Sequence, residues 1–186
     1  MEVSHEKDYT ISTKTLNIQK TIFIFYGIIR VPKGSSTMPQ KTLVLLKPDA
    51  LKRNLVDTLI QEFESHGFTI LRQKEVVVNQ ETILKHYEEV IARVPIPDFK
   101  DRIIKAFVGQ TIRCLEVSSV SEHTIDDLRT FVGATDPAKA DSNSLRGKYG
   151  VDTMEKSSLE KRMLENLIHA SDSLESAQRE LNLWFH

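Results

Sequence analysis

From about residue 40 onward, short apolar runs alternate with stretches of helical spacing. "TLVLL" (42–46) stops at Lys47-Pro48 and predicts a buried strand, with Pro48 blocking helical continuation there. Leu55, Val56, Leu59, Ile60 and Phe63 recur at helical intervals, and His66-Gly67 closes that helix. "FTILRQKEVVV" (68–78) predicts a second strand. Asn79 caps the next helix, whose inner face is Ile83, Leu84, Tyr87, Val90 and Ile91, and "RVPIPD" breaks it. A short helix runs from about Phe99 to Phe107 and ends at Gly109, before a third strand at "TIRCLEV". Ser121 is placed to cap a helix with Ile125, Leu128 and Phe131 inward and Gly133 at its end. "ATDPAKADSNSLRGKYG" is a long polar loop carrying Arg146, and "TMEKSSLEKRMLE" is charged and helical. "NLIHA" supplies a short fourth strand, and Ser171 or Asp172 caps a last helix with Leu174, Ala177 and Leu181 on its apolar face. Strands and helices mix, with a strand–strand step in the middle, which predicts an α+β domain.

Residues 1–37 do not share this pattern. "MEVSHEKDYTISTKTLNIQK" is polar and aperiodic, and "TIFIFYGIIRV" is almost wholly apolar. That run is shorter than the roughly 17–25 residues a membrane-spanning helix needs. The long acid-containing stretch before it, and the lack of a small-residue cleavage site after it, argue against a signal peptide. "PKGSST" reads as a linker. The expected organisation is a loosely attached extension at 1–37 and one domain at 38–186, with an extra edge strand at "TIFIF" as the lesser alternative.

Composition narrows the class. A chain of 186 residues with 40% apolar and 27% charged residues suits one soluble domain with a real core. The formal net charge of −1 gives no overall attraction to nucleic acid, so anion binding must rest on local arginines and lysines. The single cysteine, Cys114, excludes an intrachain disulfide and a thiolate cluster, and fits a reducing compartment. Its apolar surroundings make it a buried structural thiol.

Candidate chemistry lies at element ends. No glycine-rich phosphate loop of either familiar kind is present. Lys47 follows a buried strand, Arg129 lies on the polar side of a helix, and Arg146 sits in a glycine-bearing loop. Thr135 precedes a proline turn, and His169 lies between an apolar run and the small polar "ASDS". Taken singly, each has a plain structural reading: a solvated basic side chain, a turn cap, a satisfied histidine.

Their combination does not. "TLVLLKPDALKRNLV", "RTFVGATDPAKA", "SLRG" and "NLIHASDS" follow one another in an order and spacing that resemble nucleoside diphosphate kinases over about residues 40–185. The resemblance implies a ferredoxin-like βαββαβ sandwich with a four-stranded antiparallel sheet. It implies phosphoryl transfer from a nucleoside triphosphate such as ATP to a nucleoside diphosphate, by a ping-pong route through a phosphohistidine. His169 matches the nucleophile, since neutral imidazole attacks well near pH 7 and forms a labile bond to phosphorus. Glu180, about three helical turns further on, matches the carboxylate that orients the ring, and Ser171 matches the hydroxyl contacting it. Lys47 and Tyr87 match the pair beside the transferred phosphate. Arg129, Thr135 and Arg146 match the groups holding the distal phosphates. Asn166 matches the asparagine that reads the sugar hydroxyl with the lysine. Mg2+ is implied as an ion bridging the nucleotide phosphates, with no protein cage. A cytoplasmic homo-oligomer, a tetramer or hexamer built from dimers, is implied as well, with neither nucleic acid nor membrane as partner.

The chain also departs from the family pattern. Where the base-stacking phenylalanine is usual, it has "ARVPIPDFK", with Ile96 near the place and Phe99 just beyond, so neither is assigned. The usual proline before the loop arginine is missing, with Ser142, Asn143 and Ser144 there instead. The stretch from Tyr149 to Asn166 is longer than usual. A catalytically weak nucleotide-binding or scaffold relative is the alternative function, which a damaged histidine, lysine or arginine would favour; all are intact. A nucleic-acid-binding ferredoxin-like domain would want exposed aromatics on its sheet, and "TIRCLEV" has none.

Overall fold

β1 (Lys41–Leu46) is buried at every residue but the first, because it runs through the middle of a sheet with helices on both sides. A computed structural model of the chain describes residues 39–186. The expectations for the extension at 1–37, its possible edge strand and the domain start at Met38 lie outside the described residues. β1 pairs antiparallel with β3 (Thr111–Ser118) on one side and with the short β4 (Ile168–Ala170) on the other. β2 (Thr69–Val77) pairs antiparallel with β3, and the sheet order is β2-β3-β1-β4. This is the four-stranded antiparallel sheet of a ferredoxin-like α+β sandwich.

Alternation along β1 builds two cores. Val44 and Leu46 face α2 (Val56–Ser65) and α6 (Thr124–Val132), where Leu59, Phe63, Leu128 and Val132 complete one cluster. Leu43 and Leu45 face the opposite way, against Ile83 of α3 (Gln80–His86), Ile103 and Phe107 of α5 (Phe99–Phe107) and Trp184 of α9 (Leu174–Phe185). A strand covered on both faces has no polar register to keep, which is why "TLVLL" reads as an unbroken apolar run. Cys114 is fully buried in the second cluster, and burial pushes its thiol up to about 12, as suits an inert structural residue.

Several local expectations are corrected. The strand–strand step is a neighbour relation in space only: α3, α4 (Glu88–Arg93) and α5 separate β2 from β3 in sequence. Asn79 caps α3 by accepting from Thr82 N at 2.8 Å, but the helix breaks at Tyr87 instead of running on to "RVPIPD". Pro48 opens a short helix, α1 (Pro48–Lys52), where its missing N–H would have had no helical partner anyway. Ser121 accepts from His123 N inside a turn, and α6 starts at Thr124 without a side-chain cap. α9 is capped by Ser173, which accepts from Ser176 N at 3.1 Å, and by neither Ser171 nor Asp172, whose side chains are engaged elsewhere. Leu174, in the first turn of α9, is 60% exposed, while Ala177 and Trp184 are buried. Arg146 lies in a helical turn, α7 (Leu145–Tyr149), within the polar segment. The charged stretch after it is helical only over α8 (Met154–Leu159).

Candidate active site

Sheet register brings the histidine to its partners. His169 sits opposite Leu45, so its side chain shares the face of Leu43 and Leu45, while Ile168 and Ala170 enter the other core. α9 packs along β1 on that face and delivers Glu180, which is buried. Glu180 Oε2 lies 2.8 Å from His169 Nε2 and accepts from Ser171 Oγ at 2.8 Å. A carboxylate oxygen can only accept, so Nε2 is assigned as the protonated nitrogen. Nδ1 then carries the lone pair, with no hydrogen bond to it among the described residues.

Behind His169 stands His86, which the sequence reading passed over. The two rings meet edge to face, with centroids 4.4 Å apart. Trp184 Nε1–H donates to His86 Nδ1 at 3.2 Å, which fixes the proton of the neutral ring on Nε2. Burial, aided by the nearby His169 and Arg179, holds its pKa well below the ordinary histidine value, so His86 stays neutral. Its position before Tyr87, at the end of an amphipathic helix, was the signal that could have found it.

His86, His169 and Glu180 each offer one atom within 4.8 Å of the others, a spacing that a metal ion could bridge. The donor set does not suit a resident ion. Trp184 occupies one nitrogen of His86, so ligation by the other would demand a ring stripped of both protons. Glu180 already accepts two hydrogen bonds.

The segment after β1 builds the opposite wall. Lys47 is buried, and its Nζ donates to Leu164 O at 2.6 Å and to Asn166 Oδ1 at 2.8 Å. Burial, with help from the Arg146 charge and against the opposing charges of Asp49, Glu165 and Asp152, lowers its pKa to about 8. Asp49, to which the sequence motif "KPD" assigned no role, accepts from Leu167 N at 2.8 Å. Lys47 N in turn donates to Leu167 O at 2.8 Å. Leu167 has φ +68° and is spanned by an Ile168 N to Asn166 O bond of 2.7 Å, a tight turn that an L-residue adopts at a cost of about 1–2 kcal/mol. The Lys-Pro-Asp segment therefore clamps the turn that leads into β4.

Arg146 fastens the same turn from the other side. It is buried and donates to Asn166 O at 3.2 Å, Gly133 O at 2.8 Å and Ile168 O at 2.5 Å. Burial and the neighbouring Arg129 lower its pKa to about 10, which leaves it charged at neutral pH. Gly133 has φ +90°, and a Cβ there would fall 2.2 Å from Ser144 Oγ, so glycine is needed where α6 passes the cap of α7. Arg129 is exposed and reaches Ala170 O at 3.4 Å. The Thr135 side chain is exposed, and its carbonyl accepts from Asn166 Nδ2 at 2.8 Å. Burial and Glu180 raise the Tyr87 pKa, so its phenol stays protonated and able to donate.

These residues enclose one cleft of about 890 Å³. Lys47, Tyr87, Arg129, Thr135, Arg146, Asn166, His169 and Glu180 all line it, and Ser171 lies behind the wall against Glu180. Ile96, which is 39% exposed, and Phe99 lie at an apolar end of the same cleft. Basic side chains outnumber acidic ones along the wall although the chain as a whole carries −1. A cationic cleft with a carboxylate-oriented histidine has the means to take up an anionic phosphoryl group.

The fold and the cleft are those of a histidine-bearing phosphotransferase, and comparison with known proteins narrows the class. Residues 40–186 match the sequence profile of the family described as Nucleoside diphosphate kinase. The nucleoside diphosphate kinase of Methanocaldococcus jannaschii is 35% identical over 148 residues, covering 80% of this chain and 94% of that protein. That of Methanosphaera stadtmanae is 36% identical over 148 residues, covering 80% and 87%. Among solved structures, a transition state mimic of nucleoside-diphosphate kinase from Borrelia burgdorferi, with bound vanadate and ADP, superposes with a TM-score of 0.74 at 28% identity, covering 80% of this chain and 88% of that one. The chain belongs to the nucleoside diphosphate kinase family. It is a kinase that binds nucleotides and transfers phosphoryl groups between them. Among the described residues, no helix is long and apolar enough to cross a membrane.

Proposed function

We propose that the exchange runs through a phosphohistidine at His169. The observation that carries this reading is the Ser171–Glu180–His169 chain, which commits Nε2 to a carboxylate and leaves the Nδ1 lone pair to attack. Nδ1 bonds to the terminal phosphorus, the phosphorus–oxygen bond to the nucleoside diphosphate breaks, and that diphosphate leaves. A second nucleoside diphosphate then attacks the phosphohistidine and restores the free ring. The ring gains positive charge as the bond forms, and Glu180 stabilises it through Nε2–H. Lys47 has a third N–H beyond the two it uses, and Tyr87 has a phenolic proton; both serve the transferred phosphate. Arg129, Thr135 and Arg146 hold the distal phosphates, and Asn166 acts with Lys47 at the sugar. The base lies toward the apolar end near Ile96 and Phe99.

The cationic wall suits phosphates and offers no clustered carboxylate cage for an ion. Mg2+ therefore fits as a companion of the nucleotide phosphates, where it would neutralise charge during transfer. We take residues 38–186 as the catalytic unit, acting in the cytoplasm as a tetramer or hexamer of dimers. The edge position of β2 leaves a ladder for self-association, which mass measurement in solution would test. The deciding experiment for the reaction is incubation with γ-labelled ATP followed by acid treatment. An acid-labile label on the wild-type chain, lost in a variant without His169, supports the reading; an acid-stable label contradicts it.

Glu180→Gln tests the orienting carboxylate. Glutamine can still accept from Nε2–H, but it carries no charge and can turn its amide toward the ring. Turnover is expected to fall by roughly ten- to a thousand-fold, about 1.4–4 kcal/mol, with some single-turnover phosphorylation of His169 remaining. Phosphorylation at the parent rate would reduce Glu180 to a structural residue of α9.

Lys47 sets a pH dependence. Its ammonium form is the one that meets phosphate, and its pKa in the free protein is about 8. The kcat/KM for nucleotide is expected to decline above pH 8, while the decline in kcat moves to higher pH because bound phosphate favours the ammonium. The folded pKa lies below the unfolded value of 10.5, so the unfolded chain holds more protons in between. Lys47's contribution to stability therefore rises as pH goes from about 8 to 10.5. A flat kcat/KM profile from pH 7 to 10 would exclude this role.

A further inference from the structure

The long stretch between Tyr149 and Asn166 has no part in the scheme above, yet it ends on the lysine. Its α8 and the residues after it form one lip of the cleft, with Met154, Ser157 and Arg162 in the wall. Asp152, only 5% exposed, ties the two ends of this segment together. Its Oδ2 accepts from Arg162 Nη1 at 2.5 Å and its Oδ1 from Arg162 Nη2 at 2.8 Å. Oδ2 also accepts from Glu165 N at 3.0 Å.

That last bond has leverage. Glu165 N–H and Leu164 C=O belong to one planar trans peptide unit, so they point in opposite directions and turn together. Asp152 holds the N–H side, and the carbonyl side therefore faces Lys47 Nζ, 2.6 Å away. We propose that Asp152 is a positioning residue for Lys47: it fixes the Leu164–Glu165 peptide unit and so aims the Leu164 carbonyl at the lysine ammonium. The proposal rests on the role given to Lys47 in the reaction.

The charged groups around Lys47 are Asp49, Glu165 and Asp152, which favour the ammonium, and Arg146, which disfavours it. Loss of Asp152 removes one favourable charge and frees the carbonyl to swing away. Both changes lower the Lys47 pKa. Asp152→Asn loses the charge but keeps an oxygen that can accept from Glu165 N, whereas Asp152→Ala loses both, so a pair that merely stapled a loop would shift the pKa equally in the two variants.

The test uses the full chain with Asp152→Asn and Asp152→Ala, and Glu160→Ala as a control, since Glu160 is an exposed second partner of Arg162. Competitive acetylation of Lys47 across pH, read by mass spectrometry without nucleotide, gives its pKa directly; the pH profile of kcat/KM gives it through catalysis. Asp152→Ala is expected to lower the Lys47 pKa by about one unit and kcat/KM near pH 8 by roughly five-fold, Asp152→Asn to lower both by less, and Glu160→Ala to leave both unchanged. Should Asp152→Ala fail to fold, Asp152→Leu, which also removes the acceptor and lies nearer the native volume, takes its place. A Lys47 pKa that falls no further in Asp152→Ala, or in its replacement, than in Asp152→Asn overturns the proposal. If the parent chain showed no exchange, the reaction scheme would fall, while the acetylation measurement would still decide the clamp.

Discussion

His169→Ala is expected to abolish phosphoryl exchange while leaving nucleotide binding largely intact. The side chain contributes the atom that would bond to phosphorus, and no neighbour can replace it. His86 is the nearest ring, but Trp184 occupies its Nδ1 and its other nitrogen carries the proton. Tyr87 is held protonated by burial and by Glu180. Loss of a covalent nucleophile costs on the order of a million-fold in turnover in comparable enzymes, and an effect of that size is expected here. Lys47, Arg129 and Arg146, the groups proposed to bind phosphate, come from other elements and stay in place, so calorimetric affinity for a nucleoside diphosphate should change by no more than a few-fold. Near-normal exchange by the variant would remove the core of the proposed reaction.

Arg146→Ala is expected to damage the fold and the site together. The guanidinium joins the end of α6 to the turn around Leu167 through three backbone carbonyls. Alanine leaves the carbonyls of Gly133 and Ile168 without that donor, and Asn166 O keeps only its bond from Ile168 N. Unsatisfied buried acceptors cost about 1–3 kcal/mol each, so a loss of roughly 3–5 kcal/mol and a fall in melting temperature on the order of 10 °C are expected. Exchange should fall further than instability alone explains, because a cation proposed to face the distal phosphates is lost. Arg146→Lys separates the two contributions: it keeps the charge but cannot span three acceptors, so it should melt early yet retain more activity than alanine at low temperature. An alanine variant that melts with the parent would show that the carbonyls are satisfied without the arginine.

The strands and most helix bodies could be read from the sequence because they depend on periodicity, and periodicity is local, while the sheet itself was expected only through the family resemblance. Continuous apolar runs marked β1 and β3, and helical spacing marked α2, α5 and α6. The helix ends were harder, since several hydroxyls compete for one cap. Ser171, Asp172 and Ser173 are equivalent on paper, and only the position of Glu180 shows that Ser171 is already engaged. Pro48 was misread because proline stops a helix when it follows one and starts a helix when it leads one. The candidate site residues were named through motif order, and the structure gathers them around one cleft, with Ser171 behind its wall. What had no sequence signal was support that depends on folding: the Trp184 bond to His86, the Asp49 bond to Leu167, and a backbone carbonyl on Lys47. Residues far apart in the chain make each of these, and a carbonyl has no letter of its own.

The bond between His169 Nε2 and Glu180 has a consequence for the chemical identity of the modified protein. Imidazole has two nitrogens, and phosphorylation yields two positional isomers with different shifts in phosphorus NMR and different antibody epitopes. On the proposed route, with Nε2 engaged, phosphorus would attach to Nδ1, the nitrogen next to the carbon that joins the ring to the backbone. The expected product is the 1-phospho isomer, and the opposite isomer would require the ring to turn over and abandon its carboxylate. A reagent blind to this isomer would score the working enzyme as unmodified.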